Sequence, residues 1–289
     1  MKLLLDELAG RWRNDERVQS AVVYRDGTSF VPIDDGFDMV VLVVTQGDCP
    51  APNLFHYIKE GSRIQERWVD RLALEGWIAG GENRSVIQWI LRGDIMVDKT
   101  MFLEDLRHRL LEFPSELREQ LLLLEFSSFL CSYTEAKLCL QEDQLLDGYN
   151  SILKALHHWA RIVIIEQGAQ PEVTVWRQVR QHNVGVYKLY EELTMSGETL
   201  KQRIELVLLA AEFSVMSKMS VCCAPLLRII GGREQSWGVD ELSAHPDLEG
   251  VQGRTPLLLN KLVKKGLLRE ETILADGQMC DLEIRYAAC

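Results

Sequence analysis

Apolar positions change period along the chain, and the changes divide it into three parts. "MKLLLDELAGRW" sets Leu4, Leu5, Leu8 and Trp12 at helical spacing, while "VQSAVVY" (18–24) and "FDMVVLVV" (37–44) read as strands, the second bounded by Gly36 and Gly47. A short helix is expected over residues 54–60. In "SRIQERWVD" the period is two: Ile64, Glu66, Trp68 and Asp70 share one face, and Arg63, Gln65, Arg67 and Val69 the other. A helix then runs to Ala79, where Gly80-Gly81 ends it. "SVIQWILRGDIMV" (85–97) is expected to return to the sheet before a helix at 101–111. Residues 1–112 therefore predict a small mixed-sheet α/β domain.

From about residue 113 to 220 the strand signal vanishes. "SELREQLLLLEFSSFLCSYTEAKLCLQ" and "LLDGYNSILKALHHWARIVIIEQG" are long enough to partner each other in a helical bundle, with Gly168 as a stop. Further helices are expected from Pro171 through Trp176 to Arg180, over 186–193, and over 198–219 after the Ser196-Gly197 break. Residues 221–289 change again. "CAPLLRII" is a short helix, Asp240 can cap "ELSAHPDL", and "TPLLLNKLVKKG" has Pro256 in its first turn and Gly266 at its end. "LLREETIL" and "MCDLEIRY" flank Asp276-Gly277, a hairpin signal. Three helices followed by a hairpin describe a winged helix-turn-helix. The fold class expected is α+β: a small mixed-sheet domain, an all-α bundle and a winged helix.

Composition narrows the partners. The 289 residues carry a formal net charge of -11, which repels a nucleic-acid backbone unless one face is locally basic. The seven cysteines show no metal-ligand spacing with the six histidines, and an odd, unpatterned set fits a reducing cytoplasm. No apolar stretch reaches the ~20 residues that span a bilayer, so no membrane partner is expected.

The chemistry concentrates in "VPIDDGFDMVVLVV". Asp34 and Asp35 sit beside Gly36, and Asp38 stands at the mouth of an apolar strand. Mg²⁺ takes hard oxygen ligands, and carboxylates two apart on a strand reach one ion cluster together. With its preceding strand and polar loop, "AVVYRDGTSFVPIDDGFDMVVLVV" resembles the nucleotidyltransferase superfamily of DNA polymerase beta and kanamycin nucleotidyltransferase. That family places Gly-Ser after the first strand and Asp-x-Asp at the second. The resemblance implies Mg²⁺-dependent transfer from a nucleoside triphosphate to a hydroxyl, with Asp38 and Asp35 as catalytic metal ligands and Asp98 or Asp94 as a further carboxylate. It also places Tyr24 and Arg25 where the phosphates bind.

This chain departs from the pattern. Tyr24-Arg25 stands in place of Gly-Ser, and Gly36 occupies the first Asp position. Asp35, three residues from Asp38, faces the other side of a regular strand unless the backbone bends at Gly36. Structural alternatives stand beside these roles: Asp34 and Asp35 in a solvated turn, and Asp98 capping the 101–111 helix. The order of parts is similar to that of nucleotidyltransferase-like proteins from low-GC Gram-positive bacteria, whose helical domain is comparable to a substrate-binding bundle.

Two other sets of residues bear on partners. Tyr149, Trp159, Trp176, Tyr187 and Tyr190 are either a stacking platform for a ligand or bundle core, with His157-His158 nearby. In the last segment Arg254, Lys261 and Lys265 share a face with Leu258, the stripe a groove-reading helix presents to DNA, although acidic residues outnumber basic ones from Val221 to Cys289. The expectation drawn together is a degenerate metal site, with a nucleotide or related ligand bound between the α/β domain and the bundle and weak or no nucleotidyl transfer. The alternatives are an active Mg²⁺-dependent transferase acting on a small molecule, and a winged-helix DNA-binding regulator. A homodimer is compatible with each.

Overall fold

The computed structural model describes residues 2–25, 36–47, 49–79, 84–172, 174–274 and 282–289. By compactness the chain forms two units, one of Met1–Pro114 with Glu172–Thr174, the other of Ser115–Pro171 with Val175–Cys289.

The first unit opens with α1 (Lys2–Asn14) and β1 (Val18–Tyr24), followed by β2 (Met39–Thr45), β3 (Leu54–Lys59) and β4 (Ser62–Asp70). Next come α2 (Arg71–Ala79), α3 (Arg84–Arg92), β5 (Asp94–Asp98) and α4 (Phe102–Glu112). The sheet order is β3-β4-β2-β1-β5, with β2 and β4 parallel and all other neighbours antiparallel. β2 is central and every one of its residues is buried, which is why its sequence is an unbroken apolar run and not an alternation. Met39, Val41 and Val43 pack with Leu4, Leu8 and Trp12 of α1 in one core layer. Helices α2 and α3 pack against β2 as well, and they cover its other face, where Val40, Leu42 and Val44 are buried.

Two expected elements are of the other type. Residues 54–59 form an edge strand, not a helix: Phe55, Tyr57 and Lys59 turn partly inward while Leu54, His56 and Ile58 face solvent, a period of two. Glu60 and Gly61, at φ 48° and 78°, make the two-residue turn that pairs β3 with β4. Glu-Gly is a weaker hairpin signal than Asn-Gly, and the aromatic-aliphatic run admits either period. Conversely, residues 84–92 are helical, not strand. Val86, Ile87, Trp89 and Ile90 are all buried at helical spacing, and their β-branched, aromatic composition concealed it. Gly93 then turns the chain into β5, where a Cβ would lie 2.5 Å from Trp89 O and 2.7 Å from Val22 Cγ2. Arg107 clamps that turn by donating to Ile90 O (2.7 Å) and Gly93 O (2.6 Å).

The second unit is built on α5 (Ser115–Gln141) and α6 (Leu145–Glu166), whose shared core contains Phe126, Phe129, Tyr133, Ile152, Leu156 and Trp159. α6 ends as expected at Gly168, which has φ 74° and is followed by Ala169 N–H donating to Ile164 O. α7 (Val175–His182), α8 (Val184–Met195) and α9 (Leu200–Ser214) follow. The long helix expected over 198–219 breaks after Ser214 into a 3-10 turn, Met216–Lys218, and the short α10 (Met219–Cys222). α11 (Ala224–Gly231), α12 (Val239–Ser243), a 3-10 segment (Pro246–Arg254), α13 (Thr255–Lys264) and the pair β6 (Leu268–Leu274) and β7 (Leu282–Ala288) complete the chain. Asp240 lies inside the first turn of α12, and Gly238 holds the cap position. The Asp276-Gly277 turn and Gly80-Gly81 fall outside the described residues. No single helix among the described residues is long and apolar enough to cross a bilayer.

Candidate functional site

The strand register fixes where each candidate carboxylate lies. Tyr24 pairs with Val40, so Asp38 sits just beyond the end of β1, with Gly36 in the positive-φ region (84°) behind it. Asp38 is exposed, and its backbone N–H donates to Arg63 O (2.9 Å) while its Oδ2 accepts from Arg63 N–H (2.6 Å). The carboxylate thus closes the first rung between β2 and β4. Being exposed, it does not bear the burial cost that a carboxylate at an apolar strand implies.

Asp94 pairs with Val23 and so lies at the same end of the sheet, on the far side of β1 from β2. Two strand spacings, roughly 10 Å, separate β5 from β2, and Asp94 is ion-paired with Arg25. Asp98 does not join Asp38. Ser20 pairs with both Asp98 and Val44, six residues along β2 from Asp38, or about 20 Å at the usual strand rise. Its Oδ1 accepts from Ser20 Oγ (2.7 Å) and its Oδ2 from the backbone N–H of Glu104 (3.0 Å) in the first turn of α4. Asp98 therefore caps the helix and stitches β5 to β1. Asp34 and Asp35 lie outside the described residues.

These positions can be tested against the two-ion site the resemblance implies. No group of three His, Cys, Asp or Glu side chains among the described residues could hold a metal ion. Asp38 is tied to a backbone N–H, Asp94 to a guanidinium and Asp98 to the opposite sheet end. The described carboxylates do not fit a paired Mg²⁺ site. Tyr24 is buried, with 5% of its surface exposed, and acts as a wall of the strand end beside the exposed Arg25.

Sequence reasoning did not single out one cluster in this unit. Glu66, in the middle of β4, is 2% exposed, yet accepts hydrogen bonds from Trp68 Nε1 (2.8 Å), Tyr57 Oη (2.6 Å) and Arg11 of α1. Burial would lower the Arg11 pKa, but the Glu66 carboxylate and the hydrogen bonds to Glu66 and Tyr57 outweigh it and raise the pKa above the ordinary value. Burial pushes the Tyr57 phenol well up, and the bond to Glu66 adds to that. The available signal was a glutamate on the otherwise apolar Ile64–Trp68 face.

In the second unit Trp159 is 4% exposed and belongs to the core. Trp176 and Tyr190 are only partly buried and stack at 4.0 Å between centroids, with His157 edge-on to Trp176 at 5.8 Å. His158 instead bonds the buried Glu125 through Nδ1 (2.7 Å). The predicted basic face turns toward α5: Leu258 of α13 is 1% exposed, and Arg254, the residue just before that helix, donates through Nη1 to Ser127 Oγ (3.3 Å). Lys261 is partly buried, and that burial, with Lys264 and Lys137 nearby, lowers its pKa. Lys264 and Lys265 remain exposed.

Residues 1–118 match the family model described as nucleotidyltransferase-like, and residues 119–218 match the YgxA-like substrate binding domain. The chain is 35% identical over 246 residues to YgxA of Bacillus subtilis (strain 168), covering 85% of this chain and 83% of that protein. The chain belongs to the YgxA-like family of nucleotidyltransferase-like proteins. The crystal structure of a nucleotidyltransferase-like protein from Exiguobacterium sibiricum 255-15 superposes with a TM-score of 0.82 at 28% identity, over 99% of this chain and 97% of that one. Within this family the present chain keeps the mixed sheet and the helical domain, and carries Tyr24-Arg25 and Gly36-Phe37-Asp38 at the phosphate and metal positions that the resemblance implies.

Proposed function

We propose that this protein binds a nucleotide or a related small molecule on a nucleotidyltransferase scaffold whose metal cluster has thinned, and that it carries out weak or no nucleotidyl transfer. The observation that carries this reading is the dispersal of the described carboxylates: Asp38 on Arg63, Asp94 on Arg25, Asp98 on Ser20 and Glu104. Transfer needs cations bridging the attacking and leaving oxygens, and none of these three groups is free to recruit one alongside another. The helical domain supplies the substrate contacts in this reading, as the description of its family model suggests, and the partly buried Trp176–Tyr190 stack offers an aromatic surface there. We read the chain as three parts, with residues 221–289 a winged helix. The bond from Arg254 to Ser127 supports a packing role for α13 over a DNA-reading one.

Calorimetry with nucleoside triphosphates, with Mg²⁺ and then with EDTA, tests the reading. Heat that persists in EDTA and in Asp38→Ala, without pyrophosphate release, is expected. Binding that needs Mg²⁺, and pyrophosphate release that Asp38→Ala abolishes, would instead establish an active transferase.

A further inference from the structure

On the α1 face of the sheet lies a cavity of about 270 Å³. Its floor and walls are aromatic: Trp12 from α1, Phe55 and Tyr57 from the edge strand β3, and Trp68 from β4. Trp68 pairs with Val43, and Arg17 precedes β1 at the Thr45 end of β2. The cavity is therefore set toward the end of the sheet opposite Asp38.

The charged groups around it are already matched. Arg11 is paired with Glu66, and Arg17 with Asp15 at 2.7 Å. Two cations against two carboxylates leave the lining with no net charge, so a phosphate or carboxylate finds no unmatched cation there. The guanidiniums serve as faces as well as charges: Arg17 lies 5.5 Å from the Trp68 ring centroid, and Arg11 lies 5.6 Å from that of Trp12. One donor is unmatched. Trp12 Nε1 is buried and has no hydrogen-bond partner, a state that costs free energy in a folded protein. Arg11, half-exposed, lies over that ring while it pairs with Glu66. The volume falls just below the ~300–1,000 Å³ of sites for drug-sized ligands, which leaves room for one or two fused rings.

We propose that this cavity binds an uncharged heteroaromatic ring of nucleobase size. The ring stacks among Phe55, Tyr57 and Trp68, and a ring nitrogen or carbonyl accepts the Trp12 indole N–H. This site is separate from the one proposed above, and the two stand or fall independently.

The test uses full-length ¹⁵N-labelled protein, with adenine and cytosine as neutral probes and AMP and inorganic phosphate as charged ones. The indole N–H signals of Trp12 and Trp68 are expected to move and saturate with a free base. Phe55→Ala, at a half-buried edge-strand position, should weaken binding at least about tenfold, the scale of one lost base–aromatic stack. Trp12→Phe, which removes the donor and keeps a ring, should weaken it several-fold. The proposal is overturned by indole signals that stay still at millimolar adenine and cytosine. It is equally overturned by inorganic phosphate competing with the base, or by Phe55→Ala binding the base as tightly as the wild type.

Discussion

Asp98 and Asp38 show how one residue type takes opposite roles at the two ends of a sheet. Asp98 satisfies Ser20, which is fully buried, and an N–H of the first turn of α4. Removing it strips a helix cap and leaves a buried hydroxyl without its acceptor, so Asp98→Ala should cost about 2 kcal/mol. Asp38 is exposed and makes one backbone bond, so Asp38→Ala should cost less than about 1 kcal/mol. Urea denaturation of the two variants checks the contrast, and equal midpoints would show that the Ser20 and Glu104 bonds do not stabilise the sheet. The capping role was readable in the sequence, because an Asp just before a helical run is a cap signal. The remoteness of Asp98 from Asp38 was not, because it follows from β5 pairing with β1 in antiparallel register. Glu66 makes the same point: a glutamate in a strand reads as surface until Tyr57, Trp68 and Arg11 converge on it from three elements.

Between elements, α5 and α9 are joined by a polar contact in an otherwise apolar seam. Tyr133 Oη donates to Glu212, and Lys137 approaches the same carboxylate at 3.3 Å. The tyrosine bond, against an opposing effect of burial and with help from Lys137, holds the Glu212 pKa below its ordinary value. A carboxylate depressed in the folded state stabilises the fold above the unfolded-state pKa, and the gain is lost as pH falls through the folded value. Tyr133→Phe should therefore lower stability at pH 7, and the gap to wild type should narrow on acidification below about pH 4. Denaturant midpoints at pH 7 and pH 3 measure it, and a gap that does not change with pH would rule out this linkage. Element types were legible where the length of an apolar run settled them, as in the long helices α5 and α6 and the short, glycine-bounded β2. They were misread in residues 54–59 and 84–92, where aromatic and β-branched residues fit both periods and the partner surface made the choice.

At the scale of the whole molecule, charge decides which partners approach. The formal charge is -11, Arg254 at the start of α13 is bonded to α5 and Arg269 is paired with Glu271, which leaves Lys264 and Lys265 as the exposed basic groups of this helix. Non-specific binders reach ~10⁻⁴–10⁻⁶ M at physiological salt by neutralising many phosphates. This chain should show no saturable binding to a short duplex by fluorescence anisotropy at protein concentrations of about 10⁻⁵ M in that salt. A micromolar isotherm that weakens steeply with added salt would restore the DNA-binding reading.

By itself the sequence determined the order of parts, because hydrophobic period is a local property that each segment carries alone. It also showed Tyr24-Arg25 and Gly36 where the resemblance implies Gly-Ser and a first Asp, since a missing residue type needs no coordinates to be seen. Tertiary structure alone decided which carboxylates could meet and which face of α13 was covered. It also decided that rings from α1, β3 and β4 enclose a neutral cavity. Those outcomes depend on register and on packing between segments distant in the chain, and no local pattern encodes either.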